Sequence, residues 1–365
     1  MALDSDSFLP DAEDCAEAWR RMRWDEGLYC PECGSEQVQA RQQNYRDHLH
    51  RYYCEACGKW FIDTTCTFLE ATNVSLRRWV YFAREVDKGR ATGPIGEEIG
   101  VTRKTARRMA KTIRQALHAQ REVHAQREGW LPELSGEVEA DDVHVKGGQQ
   151  GRDVSEQEGG RTARTRGLSE RGRGTYAGDR PLVISWVERD GRGGVFELRR
   201  NAGKKSLLSS ALSHVEKSSQ VDTDTWGGYR LLGEVYQHRS VKHSEEYVSE
   251  EGAHCNTAES EWSIFKPWWR RFRGIAKRYL HLYLSHHSFR RTYRDRSRIE
   301  RTQAMIGFLI IGILLGEQDL PKKWPRPSRS WTAKGAYVIL PESDSSKQSA
   351  IGRTHRATCA TAFPS

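Results

Sequence analysis

Three acids far apart in the chain stand in settings that suit metal-ion chemistry: Asp141 in GEVEADDVHVKG, Asp224 in QVDTDTWGGY and Glu259 in HCNTAESEWSIFKPWWRRF. Alternation between bounding glycines predicts a strand for the first. The second reads as a strand end running into a turn and helix. The third reads as an amphipathic helix with Ala258, Trp262 and Phe265 as its apolar stripe. On the adjacent face Glu259, Ser263 and Lys266 recur at i, i+4 and i+7, an acid and a base two turns apart, just ahead of Arg270 and Arg271. If the two strands are neighbours in one sheet and the helix packs over their ends, three carboxylates meet. Left to themselves they would repel, and one would take up a proton. Two Mg²⁺ ions (or Mn²⁺) relieve this, because hard cations take oxygen ligands, and metals about 3.5–4 Å apart can clamp a scissile phosphate. The formal net charge of +9 favours a polyanionic partner, nucleic acid first, so acids within a cationic surface suggest phosphodiester chemistry.

The same residues carry blander readings. Asn256 followed by Glu259 spells a capping box, in which the acid only satisfies a helix N-terminus. Asp224 ahead of Gly227-Gly228 suits a turn start. Asp141 and Asp142 are neighbours on a strand and point to opposite faces, so only one can join the cluster; placement favours Asp141. Pro267 is predicted to end or kink the helix. Trp262 reads as core, and His254, His286 and His287 read as surface residues outside any metal spacing.

A second chemistry lies nearer the N-terminus. Cys30, Cys33, Cys54 and Cys57 form two C-x-x-C knuckles with twenty residues between the pairs, the spacing of a zinc ribbon. Gly34 and Gly58, each just after a knuckle, relax the tight turns. Four thiolates close a Zn²⁺ tetrahedron, so this metal is structural. Cys15, Cys66, Cys255 and Cys359 fit no ligand spacing and read as plain thiols.

Stepping outward, the elements that must position these residues divide the chain of 365 residues. An N-terminal extension (1–24) precedes the zinc ribbon (25–70). Residues 75–125 read as a helix-turn-helix-like segment: Ser75 caps a helix with Trp79, Phe82 and Ala83 inward, and IGEEIGVTRKTARRMAKTI gives two helices around a turn at Gly100. Its second helix, capped by Thr102, turns Ala106, Met109 and Ile113 inward and Arg103, Lys104, Arg107 and Arg108 outward, toward DNA. Residues 131–317 read as strands and helices in an α/β layout with a mixed sheet, with a mobile Gly/Arg-rich loop at 147–174. The stretch MIGFLIIGILLG reads as a buried helix, too short for the ~20 residues a bilayer needs. Residues 318–365 are polar and read as disordered. The N-terminus is acidic with no apolar core for a signal peptide, so the expected location is cytoplasmic and nucleoid-associated, with reduced cysteines and no membrane partner. Hydrophobic and charged fractions of 37% and 29% suit a globular protein.

The motifs VEADDVHVKG, DTDTWGGY and HCNTAESEWSIFKPWWRRF resemble those of the ISXO-like, zinc-ribbon DDE transposases of prokaryotic insertion sequences. The third is the most specific, N-T-x-E-x-x-W-S-x-x-K, present as Asn256, Thr257, Glu259, Trp262, Ser263 and Lys266. The resemblance covers roughly Cys30 to Arg294. It implies an RNase H-like (retroviral-integrase-like) catalytic domain behind the ribbon and helix-turn-helix. It further implies that Asp141, Asp224 and Glu259 hold the catalytic Mg²⁺ or Mn²⁺, and that Lys266 contacts transposon-end phosphate. Arg270, Arg271, Arg273, Lys277 and Arg278 would extend the cationic track. The implied activity is end cleavage and strand transfer on transposon and target DNA, by a homo-oligomer assembled on paired ends. Similar proteins have Asp-Glu where this chain has Asp141-Asp142, and their third acid varies, which makes Asn256 a rival. A DNA-binding regulator acting through its first 120 or so residues, or a catalytically inactive remnant of such an element, are the alternatives.

Overall fold

The computed structural model describes residues 8–25, 27–124, 133–145, 147–148, 176, 180–191, 193–242, 252, 254–272 and 274–310. The loop expected after Gly148 (apart from Tyr176), Arg273, Cys359 and the expected disordered tail lie outside the described residues. Two compact units emerge, one formed by residues up to Val123 together with those from Arg296 onward, the other by His124–Asp295.

The first unit begins with α1 (Ala12–Arg23). Asp11 caps it, its carboxylate accepting from Glu13 N at 2.8 Å and Asp14 N at 3.0 Å. This segment, expected as a mere extension, is core: Trp19 is buried and its indole donates to Asp63 O at 2.9 Å. Strands β1 (Val38–Arg46), β2 (Leu49–Cys54) and β3 (Trp60–Ile62) form an antiparallel sheet in that order. The β1–β2 turn is two residues, Asp47 and His48, both at positive φ (48° and 61°), the geometry that matches the strands' twist. Just beyond β3, the buried Asp63 carboxylate accepts from His50 N at 2.6 Å, Tyr52 Oη at 2.8 Å and Trp24 Nε1 at 3.3 Å, tying α1 to the ribbon. Helices α2 (Leu76–Asp87), α3 (Thr92–Glu98) and α4 (Arg103–His124) follow. Ser75 makes no side-chain cap bond, whereas Thr102 Oγ1 accepts from Thr105 N at 3.2 Å. Ala106, Met109 and Ile113 are fully buried. α3 and α4 approach so closely that a Cβ at Gly96 would lie 2.7 Å from Ala106 Cβ.

The second unit is built on β4 (Glu137–His144), β5 (Gly147–Gly148), β6 (Leu182–Glu188), β7 (Gly194–Arg199), α5 (Lys204–His214), β8 (Gln220–Asp224), a 3₁₀ helix over Gly227–Glu234, β9 (Gln237–Val241), α6 (Asn256–Arg270), β10 (Ile275–Ala276) and α7 (Leu280–Thr292). Five strands make one mixed sheet in the order β7-β6-β4-β8-β9. β6 is antiparallel to both β7 and β4, while β8 runs parallel to β4, and β9 to β8. Helices α6 and α7 cover one part of it through Val183, Phe196, Trp262, Phe265, Trp268, Leu280 and Leu284. His286 and His287, expected at the surface, are buried here. The His287 ring packs 4.4 Å from Phe196 and 4.9 Å from Phe265, and burial, then Arg290 and Arg291, hold its pKa down at about 3.

Pro267 does not end α6, which continues to Arg270. The carbonyl that loses its donor is that of Ser263, and Ser263 and Pro267 both lie on the exposed face, where that carbonyl is open to solvent. A last helix, α8 (Arg298–Ile310), belongs to the first unit and not, as its sequence position suggests, to the domain expected over 131–317. A reciprocal Ser297–Glu300 capping box opens it, its Arg301 pairs with Asp87 of α2 at 2.9 Å, and it packs against α1 and α2.

Candidate active site

Register explains how the acids come together. In β4, Glu137, Glu139 and Asp141 alternate onto one face; in β8, so do Asp222 and Asp224. Glu139 pairs across with Asp222, and Asp222 with Arg239 of β9. The β4–β8 pairing ends with Ala140 opposite Thr223, so Asp141 and Asp224 follow as the next row, and there Asp224 faces Val241. The sheet thus carries two acid rows, one with an arginine beside it and one with a valine.

The first row is saturated. Glu139 and Asp222 are buried, at 0% and 1% exposure. Arg239 bonds Asp222 at 2.9 and 2.7 Å, and Arg189, just past β6, reaches Glu139 at 2.9 Å, Asp222 at 2.6 Å and also Glu137. The Arg239 and Arg189 guanidinium groups hold the Asp222 carboxyl below its ordinary value although burial works the other way.

The second row is not. Among the described residues Asp141 and Asp224 have no ion-pair partner. Asp141 Oδ1 accepts from Asp142 N at 2.7 Å and Asp224 Oδ1 from Trp226 N at 3.0 Å. Burial, and then the charges of Asp142, Asp224 and Glu259, push the Asp141 carboxyl up to about 6, against the Asp142 amide. Glu259, exposed in the first turn of α6, is therefore within the electrostatic reach of Asp141. Buried Tyr229 senses the same field: burial, then Asp142, Asp141 and Asp224, drive its hydroxyl pKa up. Asp142 is turned the other way, accepting from Tyr229 Oη at 3.4 Å with His144 Nδ1 at 3.9 Å. Asp224 also starts the turn that the sequence suggested.

The capping-box reading of Asn256 and Glu259 does not hold. Cys255 occupies the cap position without a side-chain bond, Asn256 is the first helical residue, and the helix N-terminus is satisfied by Glu139. Lys266, Arg270 and Arg271 follow along α6, all exposed. Glu139, Asp222, Arg189 and Arg239 were not singled out from the sequence. The signal was there as E-x-E-x-D and D-x-D, which stack acids on one strand face.

An oxygen-only acid pair with a third carboxylate nearby and, among the described residues, no ion-paired cation suits a hard divalent ion. The three do not close into a single-ion nest: among the described residues only Cys30, Cys33, Cys54 and Cys57 form a group of three or more ligands all within 4.8 Å. Carboxylates sharing two ions need no such spacing, and without cations their repulsion opposes it. In the cysteine group the Cys30–Cys57 and Cys33–Cys54 sulfurs lie 3.7 and 3.6 Å apart. A tetrahedron with Zn–S bonds of about 2.3 Å has edges of roughly 3.8 Å. Gly34 and Gly58 donate to Cys30 O and Cys54 O at 2.8 and 2.9 Å, both at positive φ (78° and 69°). In α4, Lys104, Arg107 and Arg108 are exposed, and Arg103, also exposed, pairs with Glu97 at 2.8 Å.

The described residues thus make a mixed sheet that presents two acids on β4 and β8, with a third acid on helix α6. Residues 133–292 match the ISXO2-like transposase domain. A protein in transposable element ISH50 of Halobacterium salinarum, described as uncharacterized, is 34% identical over 278 residues, which span 74% of this chain and 87% of that relative. The chain belongs to the ISXO2-like transposases of insertion sequences. More distant likenesses are the pre-cleavage Mos1 transpososome (10% identity, TM-score 0.20, 60% of this chain and 78% of that one) and a Mos1 transposase paired-end complex with the left transposon end (11%, 0.20, 63% and 78%). Among the described residues no helix is long and apolar enough to cross a membrane.

Proposed function

We propose that this transposase cuts and joins the ends of its element with divalent metals held by Asp141, Asp224 and Glu259. The observation that carries this reading is the contrast between the two acid rows: Arg239 stands beside Asp222, but Val241 stands beside Asp224. The strand order β7-β6-β4-β8-β9, with β8 and β9 parallel to β4, supports an RNase H-like sheet. Bound Mg²⁺ or Mn²⁺ would supply Lewis-acid stabilisation of the charge that develops on the phosphate oxygens.

The chain's own part is to hold and orient. Asp141 and Asp224 are fixed to backbone amides, so their outer oxygens face the ligand site in one arrangement. Lys266, on the exposed side of α6 with Arg270 and Arg271, holds element-end phosphate, and Arg103, Lys104, Arg107 and Arg108 on α4 bind the terminal repeats. In the first step water replaces the 3′ oxygen on phosphorus, releasing a 3′-hydroxyl. In the second that hydroxyl displaces an oxygen in target DNA, one P–O bond forming as another breaks. Pairing of two ends calls for a homo-oligomer on DNA. Zn²⁺ on the four cysteines is structural, because every position of the tetrahedron is taken by sulfur.

The test is a labelled element-end duplex incubated with full-length protein, with and without Mg²⁺. Asp141→Asn, Asp224→Asn and Glu259→Gln should each lower cleavage by at least about 10³-fold, the scale of lost electrostatic stabilisation, while binding the duplex as wild type does. Cleavage without metal, or an active Asp224→Asn enzyme, overturns the reading.

A further inference from the structure

Glu139 lies two residues before Asp141 on the same strand face, yet it points at a helix rather than at a ligand site. Its Oε2 accepts from Thr257 N at 2.7 Å and Ala258 N at 3.0 Å, and its Oε1 from Thr257 Oγ1 at 3.0 Å. Those amides belong to the first turn of α6, whose donors have no partner within the helix. The carboxylate also meets the positive end of the helix dipole. Arg189 Nε donates to Oε1 at 2.9 Å, and His254 Nδ1 lies 3.1 Å from the same oxygen without a hydrogen bond. The side chain is fully buried, so water cannot replace any of these bonds.

We infer that Glu139 is the positioning residue of the acid site: it registers the N-terminus of α6 against β4, and so sets Glu259 relative to Asp141. Glu259 follows Ala258 directly, one residue beyond the amides that Glu139 grips. A neutral amide cannot stand in, because its NH₂ would face the helix N–H groups or Arg189. Aspartate, one methylene shorter, keeps the charge for Arg189 but falls short of α6. This inference rests on the metal-centre reading above, and its test separates the two.

Full-length protein without DNA is titrated with Mn²⁺, free ion being counted by electron paramagnetic resonance, and amide exchange at Thr257 and Ala258 is followed in parallel. Glu139→Gln should bind Mn²⁺ at least about tenfold more weakly, as loss of a ligand's supporting bond does, and both amides should exchange about tenfold faster. Glu139→Asp should give the same two changes with the sheet unit still folded, and it decides the matter if Glu139→Gln does not fold. Asp141→Asn is the control. If it loses Mn²⁺ and both Glu139 variants keep wild-type affinity and exchange, the positioning role is wrong. If wild type and Asp141→Asn bind Mn²⁺ equally, the metal-centre reading itself has failed.

Discussion

Arg189 compensates two carboxylates that share almost no water, Glu139 and Asp222, and touches exposed Glu137 as well. Removing one partner of a buried, hydrogen-bonded charge set strands the others, at about 3–5 kcal/mol. Arg189→Leu should therefore lower the unfolding free energy of the sheet unit, read from its denaturant curve, by that amount. A loss under about 1 kcal/mol would mean that the row tolerates bare acids and that its contrast with Asp141 and Asp224 has no force. The triad residues were legible as types in turn-bounded strands and a helix. Their register was not. One acid per strand was picked out, while period-two alternation had already set Glu139 beside Asp141 and Asp222 beside Asp224. What the sequence withheld is which acids have an arginine across the sheet, because Arg189 and Arg239 are distant in the chain and meet the acids only through strand order.

Element by element, local signals served well where a helix or strand is set by its own residues. The alternating and amphipathic stretches and the inward face of α4 follow from periodicity. Signals failed where packing decided: α8 joins α1 and α2, and α6 runs through Pro267. Gly96 is a position fixed by packing, with no room for a Cβ against Ala106. Gly96→Val should destabilise the first unit by about 1–3 kcal/mol, the usual cost of overpacking, read as a lower thermal midpoint, and an unchanged midpoint would argue against the close α3–α4 approach. Glu197 ties β7 to α5 through Ser210 and through His214 Nε2 at 3.6 Å. Burial alone would raise its carboxyl; His214, Ser210 and Arg199 outweigh that and hold it down at about 2. A carboxylate held down in the fold stabilises above its unfolded value near 4.5, and that contribution is lost as pH falls toward 2. It amounts to at most about 3 kcal/mol. The stability gap between wild type and Glu197→Gln should thus be widest above pH 5 and close progressively in acid; a gap independent of pH would show that the His214 contact is idle.

On the scale of the molecule, the two compact units should respond differently to metal removal. The second has a five-stranded sheet with a large aromatic core, so its fold should survive metal removal. The ribbon of the first is small: Cys30, Tyr52, Cys54 and Phe61 are its buried cluster, two of them from the four-cysteine group that could hold zinc. Structural zinc in such peptides contributes about 10–16 kcal/mol of apparent binding energy, as much as or more than the roughly 5–15 kcal/mol by which whole domains are stable. Removing it should therefore unfold the ribbon. Because Asp63 bonds ribbon residues His50 and Tyr52 on one side and Trp24, beyond α1, on the other, the loss should spread to α1. Chelation by 1,10-phenanthroline, or Cys54→Ser, should make residues up to about Thr72 protease-sensitive while the fragment containing β4–α7 resists and keeps its melting midpoint. Zn²⁺ added back should restore protection in the chelated protein and not in the variant. If the ribbon resists protease equally with and without zinc, the four sulfurs are not its staple, and the hydrogen bonds at Asp63 with the aromatic packing around Trp24 are what hold it.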